Sequence, residues 1–497
     1  MSGRGKRLAG VGVATLFLAY ALVLFHHTVF AVGGADSSGY LNAARLFSEG
    51  RVTTPIRGLR RLGFTNEFAD NFIPLGFTPG PRSGTMAPSY PPGLPLHMAL
   101  AARVGGWSRA PFLVSPIAAL VCLLLIYRLG REVGLPSALA LAGSALLGFF
   151  PTFVFQAVQP MSDVVATAWA LGAVCAAYRA RALSSAPWAA AAGAAFGMGI
   201  LVRPTNVLVL APLLFLLPLR GKTWLAFAAG GAPFGAFQLA HGAAAFGSPW
   251  KTGYRSLLAE GLAWSNFPAR ARHYAYWTAR LFSPLVPLGG IALAADRRVS
   301  LRNRAALLSW FAAFFLFYAF YAPYEAWWYT RFLLPAYPAL IVGALVAVRD
   351  FVVGLAPTAK TGRRAAAALL VAVALAAEIR YVAKEKVHKF YKGERFYPEA
   401  AAMARRLLPG NAVVLSMQMS GALHYYTDLP YAMWNWMDAQ RFAVMRVSTE
   451  SRGFRWYSLL APFEVPEVDK IAPGVEWREI GRVEDVSLRE LRTAAPR

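Results

Sequence analysis

Long apolar runs recur from one end of this chain to the other, and they restrict it to a narrow set of folds. They fall near residues 8–32, 110–127, 135–155, 163–178, 186–202, 205–219, 223–246, 277–295, 305–322, 332–348 and 365–383. A helix of about 20 apolar residues crosses the hydrocarbon core of a bilayer, because it satisfies its own backbone there. Eleven such runs predict a polytopic α-helical membrane protein. Composition agrees, with 57% hydrophobic and 15% charged residues, against roughly 45–50% and about 25% in soluble domains. The first run exceeds the roughly 7–15 apolar residues of a signal-peptide core. Runs 186–202 and 205–219 are short and adjacent; they read as two spans, one tight hairpin or a partly re-entrant pair. Cys122 and Cys175 both lie inside apolar runs, where they read as small core residues rather than a disulfide or metal site.

Charge sets the orientation. Arg4, Lys6 and Arg7 precede the first run, which places the N-terminus in the cytoplasm. Counting from there, the predicted inner turns hold Arg128 and Arg131, Arg179 and Arg181, Arg220 and Lys222, Arg297 to Arg304, and Arg349 to Arg364. Each inner turn is basic, as the positive-inside rule requires. An odd number of spans puts the C-terminal segment outside. Residues 1–383 hold 33 Lys and Arg against 11 Asp and Glu, whereas residues 384–497 hold 17 against 14. Of the net charge of +25, +22 therefore belongs to the membrane part. Basic residues dispersed among spans serve topology and anionic-lipid contact rather than nucleic-acid binding.

This topology gathers distant polar residues on the outer face. Asp36 follows the first run, in Gly33-Gly34-Ala35-Asp36-Ser37-Ser38-Gly39-Tyr40-Leu41, and the spacing of Tyr40, Leu41, Ala44 and Phe47 predicts a helix beginning there. A carboxylate at a helix start is favoured by the helix dipole, and its bland reading is an N-cap. Asp163 lies between the third and fourth runs, Arg203 between the fifth and sixth, and Glu325 and Arg331 between the ninth and tenth. Taken singly, each reads as capping or interfacial snorkelling. Taken together on one side, they read as an extracytoplasmic active site, because ionisable groups at membrane depth face a cavity or a partner. The outer loop 33–109 adds Tyr90-Pro91-Pro92-Gly93-Leu94-Pro95-Leu96-His97, a rigid turn before a half-inserted or interfacial helix. Trp264, Tyr274, Tyr276, Trp277, Trp327, Trp328 and Tyr329 read as an aromatic belt or as stacking surfaces for a sugar or isoprenoid.

After residue 383 the composition becomes that of a soluble α/β domain. Residues 394–408 predict a helix, 411–416 a buried strand, 420–426 a second helix and 477–483 a late strand. The chain thus divides into a transmembrane catalytic domain, 1–383, and an extracytoplasmic domain, 384–497. No nucleotide-binding fingerprint, phosphate-binding Gly-rich loop, zinc spacing or serine-nucleophile elbow occurs. His424 and Asp428, four residues apart, read as a solvated helix face rather than a metal pair.

These motifs, in this order, resemble the GT-C superfamily of integral-membrane glycosyltransferases, which includes the protein O-mannosyltransferases and the transferases that place aminoarabinose on lipid A. The resemblance rests on Asp36 with Gly39-Tyr40-Leu41 and Ala44, the Tyr90–Pro95 turn, Pro160-Met161-Ser162-Asp163, Arg203-Pro204, Arg331-Phe332-Leu333-Leu334-Pro335 and Tyr425–Pro430. It implies a polyprenyl-phosphate-linked sugar donor, a lipid, glycan or protein acceptor hydroxyl, and inversion at the anomeric carbon. It further implies Asp36 as general base, Arg331 and Arg203 as partners of the leaving phosphate, and Asp163 as the group orienting acceptor or sugar. Tyr40, Tyr90, His97, Glu325 and Tyr329 are the candidate substrate contacts. Many relatives carry an acidic pair after the first span, whereas Ser37 and Ser38 follow Asp36 here. A lone carboxylate is a poor start for a divalent cation, so metal-independent transfer is expected, with Asp163 or Glu325 as the residues able to complete a metal site. A bacterial inner or cell membrane is the expected location.

Two other classes compete. A secondary transporter predicts internal repeats and polar groups at mid-membrane, whereas this sequence shows no convincing repeat and its acidic groups lie at one face. A membrane-anchored assembly factor leaves Asp36, Asp163 and Arg331 without a purpose.

Overall fold

The computed structural model describes residues 3–254, 261–321, 325–355 and 359–492. Tyr324, quoted above beside Glu325, lies outside them. The chain forms two compact units. One comprises Met1–Thr28, Phe112–Phe237 and Arg255–Phe390; the other comprises Val29–Pro111, Gln238–Tyr254 and Tyr391–Arg497.

All eleven apolar runs become helices, singly or in pairs. The third breaks by 65° between Ser137–Phe149 and Pro151–Ala157. Pro151 causes this break: it has no N–H to donate and holds Phe150 outside helical geometry (φ −58°, ψ 120°). The eighth bends by 110° between Trp264–Phe282 and Leu285–Ala295, where Ser283 takes φ 68° before Pro284. Among the described residues, three single helices are long and apolar enough to cross a membrane: Ala110–Glu132, Trp327–Gly354 and Thr361–Phe390. Counting each bent pair as one span raises this to five. The expected eleven spans thus reduce to a smaller set of unbroken apolar helices plus short, bent or more polar ones. Ser162–Ala182 illustrates why: most of it is buried among other helices, so it need not be apolar throughout.

The first unit has two distinct ends. Helix Ser162–Ala182 carries Asp163 in its first turn and Arg179 and Arg181 in its last. Arg179 lies 3.3 Å from Glu132, at the end of helix Val114–Glu132. Arg349, near the end of Trp327–Gly354, donates to the carbonyl of Gly134 at 3.2 Å. Arg298 donates to the carbonyl of Asp350. Basic turns therefore gather at the end opposite Asp163, the pattern that the charge argument requires of the first unit.

The second unit is mixed α/β. Strands β1 (Thr54–Pro55), β2 (Phe77–Pro79) and β3 (Thr85–Pro88) form an antiparallel sheet in the order β1-β3-β2. Strands β4 (Ala412–Leu415), β5 (Tyr431–Ala432), β6 (Arg455–Leu460), β7 (Glu476–Val483) and β8 (Val486–Arg492) form a second sheet in the order β5-β4-β6-β8-β7. The predicted helix 394–408, strand 411–416, helix 420–426 and strand 477–483 all appear, as Phe396–Leu407, β4, Ser420–Tyr426 and β7. Alternate residues of β4 and β6 feed opposite faces, following the two-residue period of a strand. Val413, Leu415, Trp456 and Leu460 enter one core, and Ala412, Val414, Tyr457 and Leu459 the other. Helix Phe396–Leu407 covers the second core through Tyr397, Ala400, Met403 and Ala404. The first is closed by Leu46, Ile56, Leu59, Leu62, Phe72 and Phe77, all from the loop that follows the first helix. That loop and the C-terminal segment therefore share one hydrophobic core.

Candidate active site

Asp36 opens helix Asp36–Ser48 but does not cap it; the cap position is Ala35, with no side-chain cap bond. Its carboxylate instead accepts a hydrogen bond of 2.6 Å from the Tyr90 hydroxyl. Burial and the Asp36 charge push the Tyr90 phenol well above its ordinary range, so it remains a proton donor at neutral pH. Tyr40, buried on the same helix, sets its ring 4.8 Å from that of Tyr90, and the half-exposed Tyr254 meets Tyr90 edge-on at 6.1 Å. Glycine at position 39 makes this arrangement possible: a Cβ there would lie 2.3 Å from the Tyr90 ring. Helix Asp36–Ser48 is held from behind by helix Ser420–Tyr426. Asn42 donates to the carbonyl of Gly421 at 3.3 Å, Arg45 donates to that of Tyr425 at 2.7 Å, and the Arg45 guanidinium lies 3.5 Å from the centre of the Tyr425 ring. Tyr397 packs its ring against Gly33 and accepts from Gln418, whose backbone N–H donates to the buried Glu464.

In the first unit, Asp163 is 1% exposed and forms an ion pair with Arg203. Its other oxygen lies 4.0 Å from Arg331. The loop carrying Arg203 is tied to the Asp163 helix by Asn206, which donates to the carbonyl of Ala166 at 2.9 Å. The segment carrying Arg331 is anchored by Thr330, which bonds Thr152 at 2.6 Å and donates to the carbonyl of Trp327 at 2.8 Å. Both guanidinium groups lie over the Phe332 ring, at 5.3 and 5.4 Å, and Phe332 stacks on Tyr318. Sequence distance is thereby erased: residues 163, 203 and 331 form one charged cluster.

A third arginine joins this region and escaped the sequence reading. Helix Phe267–Phe282 buries Arg270, Tyr274, Thr278 and Leu281 along one face. Thr278 bonds the Tyr337 hydroxyl at 2.9 Å, and Tyr274 feels the charges of both Arg270 and Arg203. Arg270, 6% exposed, lies one turn before Tyr274. The signal was present as the i, i+4, i+8 spacing of Arg270, Tyr274 and Thr278. Hydropathy conceals it, because the apolar run begins only at Trp277. Tyr274 is accordingly a core residue, whereas Trp264 and Tyr276 are exposed as a belt requires. Arg203, Arg331 and Asp163 give their cluster a net charge of about +1, and planar guanidinium groups pair readily with an anion.

The remaining candidates are dispersed. His97 lies on helix Gly93–Gly105, 2.7 Å from the Gly93 carbonyl, and burial pulls its imidazole below the ordinary range. Tyr329 lies under the Arg331 guanidinium, 5.8 Å from ring centre to Cζ. Glu325 is exposed and within electrostatic reach of His273. His424 is not on a solvated face with Asp428: its helix ends at Tyr426, it bonds the Tyr431 hydroxyl at 2.9 Å, and burial pulls it down to about 3. Among the described residues, no three His, Cys, Asp or Glu side chains come together as a metal site.

Residues 89–230 match the family model described as dolichyl-phosphate-mannose-protein mannosyltransferase. No curated protein matches the chain by sequence. Among solved structures, ArnT from Cupriavidus metallidurans superposes with a TM-score of 0.59 at 15% identity, over 97% of this chain and 98% of ArnT. ArnT has also been solved bound to undecaprenyl phosphate. The oligosaccharyltransferase AglB from Archaeoglobus fulgidus, in complex with an inhibitory peptide and a dolichol-phosphate, superposes with a TM-score of 0.52 at 13% identity, over 90% of this chain and 69% of AglB. The mycobacterial arabinofuranosyltransferase AftD does so with 0.55 at 12% identity, over 97% of this chain but 40% of AftD.

Proposed function

We propose that this chain, which has the fold of the GT-C membrane glycosyltransferases, moves a sugar from a polyprenyl-phosphate carrier to an acceptor hydroxyl outside the cytoplasm. One observation carries the reading: Asp163 fixes Arg203 and stands beside Arg331 at the end of the first unit away from its basic turns. A buried carboxylate shared by two guanidinium groups orients them, and the planar guanidinium fork suits a phosphate.

In the reaction, Asp36 removes the acceptor hydroxyl proton as the acceptor oxygen attacks the anomeric carbon. The bond from that carbon to the phosphate oxygen breaks, and its electron pair leaves with the polyprenyl phosphate. Displacement from the opposite face inverts the anomeric centre. Arg203 and Arg331 stabilise the charge that develops on the phosphate. Asp163 is then a positioning residue for these arginines. Metal is not needed on this reading, and transfer is expected to persist at full rate in EDTA.

The reading is tested by native mass spectrometry of protein purified gently from membranes and offered undecaprenyl phosphate. Retention of the lipid by the natural protein, with a loss of roughly 10- to 100-fold in affinity for Arg331→Ala, supports it. Binding only of bulk phospholipid, or equal affinity in the two proteins, overturns it.

A further inference from the structure

Tyr90 carries chemistry that substrate contact does not explain. Its hydroxyl is directed at Asp36, and its ring is fixed from several sides. Gly39 and Gly76 come together beneath it: a Cβ on Gly39 would lie 2.3 Å from the ring and 3.2 Å from the Gly76 Cα. Gly76 itself takes φ +85°, which disfavours any side chain there. The next backbone bond upstream of Tyr90 is also fixed, with the Ser89 N–H donating to the Gly76 carbonyl at 2.9 Å. Pro91 and Pro92 follow and stiffen the downstream side. Tyr40 packs on one part of the ring and Tyr254 on another. A phenol held this firmly gives its hydrogen-bond acceptor a fixed direction.

We infer that Tyr90 is the positioning residue of Asp36: its hydroxyl holds the carboxylate in one orientation until the acceptor arrives. The inference rests on the proposed role of Asp36 as base. It extends that role by assigning the Tyr90 hydroxyl to the protein's own carboxylate. A fixed donor removes the reorganisation that a mobile side chain or water would need during proton transfer. Among the described residues, Asp36, Tyr40 and Tyr254 are the titratable groups that act on Tyr90, and burial keeps the phenol protonated.

The test is spectroscopic and needs no substrate, so its outcome is independent of whether the chain transfers sugars. Difference infrared spectroscopy follows the carboxylate stretching bands, assigned to Asp36 by their loss in Asp36→Asn. In Tyr90→Phe, which keeps the ring in its slot, those bands are expected to shift in frequency, because the carboxylate has lost its hydrogen-bond donor. The reciprocal measurement uses no Tyr90 variant: ultraviolet titration of Asp36→Asn is expected to show one tyrosine ionising at lower pH, since the neighbouring negative charge is gone. Asp36 carboxylate bands at the same frequency with and without the Tyr90 hydroxyl overturn the inference. So does a set of tyrosine titrations unchanged by Asp36→Asn.

Discussion

Carboxylates in this protein differ in what their neighbours let them do. Asp36 is partly buried, at a helix start, with a phenol donating to it. Asp163 is fully buried and bonded to an arginine. The first arrangement suits a group that accepts a proton; the second suits a group that holds cations in place. Asp36→Asn is therefore expected to reduce transfer by about 10²- to 10⁴-fold while leaving polyprenyl-phosphate binding unchanged, measured by sugar transfer and lipid retention on the same preparations. Asp163→Asn is expected to act differently. Removing one partner of a buried ion pair costs about 3–5 kcal/mol, so thermal unfolding should move to markedly lower temperature. Both carboxylates were visible in the sequence as scarce acidic residues next to apolar runs. Their different partners were not, because Tyr90 and Arg203 lie 54 and 40 residues away.

Among the elements, turns and breaks place the chemistry. Helix Asp36–Ser48 presents its first residue to Tyr90 only because position 39, one turn along, has no side chain. Gly39→Ala would force a methyl group into the Tyr90 ring, an overpacking that typically costs about 1–3 kcal/mol. The expected result is a lower unfolding temperature together with a fall in the raised ionisation pH of Tyr90 as its ring leaves the carboxylate. An unchanged titration would show that the ring accommodates the methyl group without leaving the carboxylate. The sequence announced the Tyr-Pro-Pro-Gly turn and the glycine separately, through residue types with strong backbone preferences. Their contact depends on how loop 33–109 folds back, which no local preference encodes. The bend at Ser283 and Pro284 lies inside a continuous apolar run, so hydropathy conceals it although Pro284 marks it locally.

At the scale of the molecule, the C-terminal segment and the first long loop close a common core. Glu394 lies at the entrance to this part of the chain, and burial pushes its carboxyl from 4.5 up to about 7. In the folded protein it keeps a proton between roughly pH 4.5 and 7, where the unfolded chain gives it up. Folding takes up a proton in that window, so this group's contribution to stability falls as the pH rises through it and levels off above about 7. Glu394→Gln is expected to flatten that fall, measured as unfolding temperature against pH. A variant that keeps the full slope would remove Glu394 as its source.

The sequence by itself determined the class of fold, because a bilayer accepts apolar helices and little else, and hydropathy is a local property. Charge in the short turns determined, on the same local basis, which ends of the first unit's helices would gather basic residues. Composition after residue 383 determined that soluble α/β structure would follow, and the strand and helix patterns there were legible one by one. Tertiary structure alone decided which polar groups meet. It paired Asp163 with Arg203 and brought Arg331 beside them, added Arg270, directed Tyr90 at Asp36, and buried His424 away from Asp428. Such pairings depend on the packing of segments far apart in the chain, where the cost of an uncompensated buried charge selects the partner. That cost arises only once the segments have come together.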